Sequence, residues 1–286
     1  MHETLDEAGA VLDLDARALD TSAALASTIA VQLSTLIAGV AAMRALAQEG
    51  VRPHAAAGLS VGAFGAAVAC GALAFKDALR LVKLRGECMQ RAYPHGFGMA
   101  AIVGLTERQT ADLVVQIGGA AAQIYIASIN APTQIVVSGA DRALDAVVAA
   151  ARKAGARQAA RMRVSVPAHC PLLEPVAERL ALALAPIQLS APQLLYISNR
   201  RARVVRDAEG VREDLIHNVA HTVRWHDSQA VLYELGIRLF IELPPGQVLS
   251  RLAQQAFPEA RAVALADAQF QSVLLLAARD RKSPTE

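Results

Sequence analysis

The chain has 286 residues, 54% of them apolar, 4% aromatic and 19% charged, with a formal net charge of +2. This balance excludes disordered, collagen-like and disulfide-framework chains, and so small a net charge leaves no electrostatic footprint for nucleic acid. The length suffices for one large domain or for a domain with a smaller insert, and abundant alanine with few aromatics predicts closely approaching helices around a small-side-chain core.

Met1-His2-Glu3-Thr4 puts no cationic stretch ahead of an apolar run, so no signal peptide is expected. Ala23 to Met43 carries no charge for about the twenty residues that a membrane span requires. Its Ser27, Thr28, Gln32 and Thr35 recur at helical spacing and much of its apolar content is alanine, so the expectation is a helix buried in a soluble core, with no membrane contact. This helix runs to about Gln48 and is stopped by Glu49-Gly50-Val51-Arg52-Pro53. The short apolar run His54-Ala55-Ala56-Ala57 then suits a buried parallel strand. A sharp Gly58-Leu59-Ser60-Val61-Gly62 turn leads into a helix over Ala63–Cys70, and Asp77 to about Arg91 reads as an amphipathic helix.

From Gly98 the units shorten. Strand Met99–Val103, helix Thr106–Ile117, strands Ile124–Ile129 and Gln134–Ser138, helix Asp141–Ala154 and strand Ala160–Val166 follow in a β-α-β-β-α-β order, which is the ferredoxin-like signature. Helix Leu172–Leu184, strand Leu194–Ser198, helices Val211–Asn218 and Ser228–Leu235, and strand Arg238–Glu242 then resume the earlier α/β texture. Arg279–Glu286 reads as a frayed polar tail. The expected architecture is α/β: a core with a parallel sheet formed by residues 1–96 and 168–286, and an inserted subdomain over 97–167.

Gly58-x-Ser60-x-Gly62 has the form of a nucleophile elbow, in which serine stands on a tight strand-to-helix turn and glycines remove the side chains that would collide. The helix that follows offers a positive N-terminal dipole and the Val61 N–H to a developing oxyanion. A nucleophilic serine needs a base. His169, in the loop Val166-Pro167-Ala168-His169-Cys170-Pro171 between two prolines, is the leading candidate, and His217, His221 and His226 remain alternatives. Cys70, Cys88 and Cys170 are an odd number with no C-x-x-C pair and no histidines at metal spacing. No metal or cofactor is therefore expected, and a reduced, cytoplasmic compartment is.

Four ordered segments, Gly58–Gly62, Leu84-Arg85-Gly86-Glu87-Cys88-Met89-Gln90, Val164–Cys170 and Glu242-Leu243-Pro244-Pro245-Gly246-Gln247-Val248-Leu249, together resemble the malonyl-CoA:acyl-carrier-protein transacylases. The run from Gly58 to Gly65 is most similar to the ε subunit of malonate decarboxylase. The resemblance implies an α/β-hydrolase-like core with a ferredoxin-like insert. It implies Ser60 as nucleophile, His169 as general base, Asn218 as the residue whose backbone carbonyl orients that base, and Val61 as an oxyanion amide. Arg85 is implied as the ligand of a free malonyl carboxylate, a role for which a planar guanidinium is suited because it can grip a carboxylate with two parallel hydrogen bonds. Gln32 and Leu59 are implied to line the acyl pocket, Leu59 where many of these enzymes have histidine. Family members open with a strand ending in a Phe-Pro-Gly-Gln-Gly-x-Gln loop that supplies a second oxyanion amide, and residues 1–20 contain no such run, so either the chain starts late or another amide substitutes.

The expected activity is therefore ping-pong transfer of malonyl from malonyl-CoA through a Ser60 ester to the thiol of an acyl carrier protein, with the carrier of malonate decarboxylase favoured and that of fatty-acid synthesis the alternative acceptor. The basic run Arg200, Arg201, Arg203 and Arg206 is a candidate surface for an acidic carrier. Two rivals are a serine esterase or thioesterase, for which Asp141 or Asp145 would have to serve as the acidic triad member, and an inactive subunit that only docks a carrier.

Overall fold

The structure, a computed structural model, describes residues 2–280. The chain begins with helix α1 (His2–Leu12) and, after two short 3₁₀ turns, the long helix α2 (Thr28–Gln48), capped by the Ser27 hydroxyl on the Ile29 N–H. By length and composition α2 could cross a membrane. In the structure its Leu33, Leu36, Ile37 and Val40 instead join the largest apolar cluster. That cluster also takes in α3 (Gly62–Ala69), α4 (Phe75–Ala92), α7 (Glu174–Leu184) and α8 (Ala208–His217). Alanine and glycine make this packing possible. A Cβ on Gly86 of α4 would lie 2.9 Å from Ile29 Cα of α2, so the two helices cross nearly backbone to backbone.

Strands β1 (Ala55–Ala56) and β6 (Leu195–Ile197) pair in parallel, and β7 (Val204–Val205) adds an antiparallel edge to β6. Strands β8 (Leu239–Glu242) and β9 (Arg261–Ala264) form a separate parallel pair. The parallel sheet expected from the sequence is thus divided into a three-stranded mixed sheet and a two-stranded one. The division follows from β1, which offers only two residues before the chain turns at Gly58, too few to carry a ladder onward. Helices α10 (Val248–Ala256) and α11 (Phe270–Asp280) complete this part, with α11 packing Val273 and Ala277 against Leu46 of α2. Sequence reasoning had assigned no element to α1, α10, β9 or α11. Arg279 and Asp280, expected in a frayed tail, end α11, and 281–286 lie outside the described residues.

Between these parts runs a four-stranded antiparallel sheet of β2 (Phe97–Val103), β3 (Ile124–Ala131), β4 (Gln134–Ala140) and β5 (Gln158–Arg161), in the order β3-β4-β2-β5. Helices α5 (Glu107–Ile117) and α6 (Asp141–Lys153) cover it and share a second apolar cluster through Leu113, Val114, Leu144 and Val147. The β-α-β-β-α-β order read from the sequence is present, with β5 starting and ending earlier than expected. Thr106 and Gln109 form a reciprocal capping box that fixes the start of α5. The sheet is tied to the rest of the chain through β3: Val223 donates to Ala127 at 2.9 Å and accepts from Ile129 at 2.8 Å.

Candidate active site

The chain leaves β1 and turns at Gly58-Leu59-Ser60-Val61 before entering α3. Ser60 sits at φ +58°, a left-handed conformation that costs a non-glycine residue energy and is retained where the surroundings impose it. Gly58 is required beneath it, because a Cβ there would lie 2.0 Å from the Gly62 carbonyl oxygen. The turn throws the Ser60 hydroxyl outward ahead of the N-terminus of α3, and the Val61 N–H, at that end, bonds to no group among the described residues.

His169 reaches the serine from the loop before α7, also in a left-handed conformation at φ +59°. Its backbone N–H donates to the Val219 carbonyl at 2.7 Å and its ring Nδ1 lies 2.5 Å from the Asn218 carbonyl. A carbonyl only accepts, so Nδ1 carries the hydrogen. Nε2, 2.7 Å from Ser60 Oγ, is then left with its lone pair toward the hydroxyl. The Ala168 N–H is held by Ser138 Oγ at 2.9 Å, which anchors the loop to β4. Burial, and next the charge of Arg85, pull the His169 pKa down to about 4, against the opposing pull of backbone hydrogen bonds to Asn218 and His221. The imidazole is therefore neutral at pH 7 and able to take a proton.

Arg85 projects from α4 with only 1% of its surface exposed. Its Nη2 donates to Ser60 Oγ at 3.1 Å, its Nη1 donates to Gln32 Oε1 of α2, and its Nε has no partner among the described residues. No carboxylate pairs with it among the described residues, and burial draws its pKa only to about 10, so a full positive charge stands beside the serine without a counter-ion. Such a charge is costly to bury alone, and the site is built to receive an anion. Leu59 packs with Trp225, Leu249 and Leu252 in a small apolar cluster beside the turn.

All seven residues expected from the sequence are thus placed. Ser60, His169, Arg85, Gln32 and the Asn218 carbonyl form one hydrogen-bonded group, and Val61 and Leu59 flank the serine on the turn. The alternative bases go elsewhere. His217 faces Glu213 at 3.6 Å, His221 stacks edge-on against His217, and His226 stacks on Phe257. Asp141 and Asp145 both pair with Arg161 on the four-stranded sheet, so neither serves His169 as the acidic partner that an esterase triad requires. Sequence reasoning missed Asn199, whose side chain bonds to the backbone of both Gly58 and Ser60. The available signal was its position directly after a predicted strand, since ligand sites in α/β sheets gather at the carboxyl ends of strands.

Comparison with known proteins supplies the family. Residues 9–281 match the family model described as the acyl transferase domain. The malonyl CoA-acyl carrier protein transacylase of Salmonella typhimurium is 35% identical over 271 residues, covering 93% of this chain and 87% of that protein. Among solved structures, the malonyl-CoA:acyl carrier protein transacylase of Xanthomonas oryzae superposes with a TM-score of 0.91 at 35% identity, covering 96% of this chain and 89% of that one. A malonyl-transacylase solved in complex with a type II PKS acyl-carrier protein superposes with a TM-score of 0.90 at 32% identity, covering 97% and 90% of the two chains. With a serine, a neutral histidine and a buried arginine meeting at one turn, and with that match along nearly its whole length, the chain belongs to the acyl transferase domain family of enzymes and is a relative of the malonyl-CoA:acyl-carrier-protein transacylases.

Proposed function

We propose that this protein transfers a malonyl group from malonyl-CoA to the thiol of an acyl carrier protein through an ester on Ser60. The observation that carries the reading is Arg85, a buried cation without a counter-ion among the described residues at 3.1 Å from the serine oxygen, which a free carboxylate on the acyl group would neutralise. Acetyl groups lack that carboxylate.

In the first half-reaction the Ser60 proton passes to His169 Nε2 as Oγ bonds to the thioester carbon. The Val61 N–H donates to the oxygen that gains charge, and the Asn218 carbonyl holds the imidazolium through Nδ1. Collapse of the tetrahedral intermediate breaks the carbon–sulfur bond, and His169 returns the proton to the departing CoA sulfur. The second half-reaction runs this in reverse: the carrier thiol gives its proton to His169, its sulfur takes the acyl carbon, and Oγ recovers the proton. Gln32 holds the Arg85 guanidinium in place, and Leu59 with Trp225 and Leu249 shapes an apolar wall that disfavours water as the competing acceptor. Named relatives act as malonyl CoA-acyl carrier protein transacylases, and the solved complex of one with its carrier supports a carrier as the second substrate. Arg201, Arg203 and Arg206 are exposed and offer the carrier a basic surface. The sequence run with Leu59 before the serine supports the carrier of malonate decarboxylase as acceptor, and the three free thiols accord with a cytoplasmic location. In this reading residues 97–167 form a ferredoxin-like insert in an α/β-hydrolase-like core.

The test is to mix the protein with isotope-labelled malonyl-CoA, examine Ser60 by mass spectrometry, and then add the thiol form of a carrier protein. A malonyl-Ser60 ester that persists and is discharged by the carrier thiol supports the transferase. Immediate release of free malonate would indicate a hydrolase, and absence of acylation a docking subunit.

A further inference from the structure

Beneath the serine lies a buried polar group that takes no part in proton transfer. Asn199, 3% exposed, lies two residues after the end of β6, and its side chain spans the turn. Oδ1 accepts the Ser60 N–H at 2.9 Å while Nδ2 donates to the Gly58 carbonyl at 2.9 Å. An amide is suited to this because its two ends are an acceptor and a donor. Asn199 is itself fixed from behind. Its N–H donates to Asp214 Oδ1 at 2.8 Å, the Tyr196 hydroxyl donates to Asp214 Oδ2 at 2.8 Å, and its carbonyl accepts the Arg224 N–H at 2.9 Å. Asp214 is buried in α8 with no cationic partner among the described residues, and it receives hydrogen bonds from Tyr196, Asn199 and the Arg200 backbone. A buried carboxylate with no cation is expensive, and its donors account for its retention.

We infer that Asn199 is a positioning residue for Ser60: its amide splints the two limbs of the turn, with Asp214 and Tyr196 as the anchor, and holds Oγ between His169 and Arg85. The inference rests on Ser60 being the acylated serine. The left-handed φ of Ser60 makes such a splint necessary, since the hydroxyl direction depends on a backbone conformation that serine alone would leave. The splint also occupies the N–H of Ser60, whereas that of Val61 bonds to no group among the described residues.

Asn199→Asp tests this, because a carboxylate keeps the acceptor for the Ser60 N–H but has no hydrogen for the Gly58 carbonyl, whereas the protonated acid has both. Single-turnover modification of Ser60 is followed with two reagents, malonyl-CoA and phenylmethanesulfonyl fluoride, the second needing neither a carboxylate nor a carrier. The expected result at about pH 8 is a loss of about 100-fold in rate with both, from a displaced hydroxyl, with little change in the KM for malonyl-CoA. On lowering to about pH 5 the variant should regain rate as the introduced carboxyl, raised by burial, takes up a proton, whereas the unsubstituted protein stays nearly level over that range. A pH profile parallel to that of the unsubstituted protein overturns the inference, as does Asn199→Ala reacting at the unsubstituted rate. If the unsubstituted protein reacts with the sulfonyl fluoride and not with malonyl-CoA, the transfer reading fails while the splint is still measured. Should neither Asn199 variant fold, Tyr196→Phe removes only the hydroxyl on Asp214. A several-fold slower modification of Ser60 at unchanged KM is then expected, and an unchanged rate overturns the anchored splint.

Discussion

Arg85 and His169 oppose one another in charge, and two predictions come from that opposition. Burial, with the Arg85 charge second, holds the imidazole neutral, so the acid limb of kcat/KM, which reports the free enzyme, belongs near the His169 value of about 4 and not near 6.5. Acylation of Ser60 should therefore persist as pH falls through 6 and fail only as His169 takes up a proton, as rapid-quench measurements across that range would show. In Arg85→Ala the limb should move upward, because the second of the two causes of the depression is gone. The same variant tests specificity. A hydrogen bond to a charged group is worth about 1.5–3 kcal/mol, so preference for malonyl-CoA over acetyl-CoA should fall by about 10- to 100-fold. Unchanged preference in a competition assay would remove Arg85 from the carboxylate pocket. Ser60, His169 and Arg85 were legible in the sequence because each is the residue type that its chemistry demands, set in a recognisable run. Asn199 and Asp214 were not: an asparagine after a strand looks like an ordinary turn residue, and an aspartate on an amphipathic helix looks like a solvated charge until Tyr196 is seen against it.

Among the elements, the turn between β1 and α3 carries the greatest demand on sequence. Gly58→Ala would force a methyl group to within 2.0 Å of the Gly62 carbonyl, which only a shift of the backbone can relieve. A shift of about 1 Å at a reacting group costs about 100-fold, so the variant should acylate at least that much more slowly. Quantitative mass spectrometry of malonyl-Ser60 against time measures it, and acylation at the ordinary rate would show that the turn has slack. Most helices and the antiparallel strands were legible because short apolar runs such as Met99–Val103 and Ile135–Val137 and the 3.6-residue period in α4 and α6 are strong local signals. Strand β1 was read as longer than it is, and α10 and α11 were not assigned. Each depends on distant partners, such as Leu46 of α2 for α11, which a local pattern does not display.

At the scale of the whole molecule, the catalytic group borders the largest apolar cluster, which holds Ala168 and Val219 and also takes in Met99, Ala127 and Val136 of the antiparallel sheet, so the sheet cannot loosen without reaching it. The loop bearing His169 is pinned to β4 by Ser138 Oγ, and the segment that presents the Asn218 carbonyl continues to Val223, which bonds to β3 at Ala127 and Ile129. The cluster under the antiparallel sheet contains Leu144, 0% exposed and apart from every site residue named above. Leu144→Ala removes buried methyl groups and leaves a cavity, a change that costs about 2–5 kcal/mol. For a chain of this size that corresponds to a melting temperature lower by about 3–8 °C. At 25 °C the folded variant should acylate Ser60 at the ordinary rate, because no hydrogen bond to His169, Arg85 or Asn199 is altered. On heating, ellipticity and acylation should fall together in one transition, since the bonds from Val223 and Ser138 join the sheet to the site. Circular dichroism and residual acylation, measured on the same heated samples, decide the matter. If activity survives a first transition that melts the sheet, then the hydrogen bonds between β3, β4 and the histidine loop do not couple the two clusters.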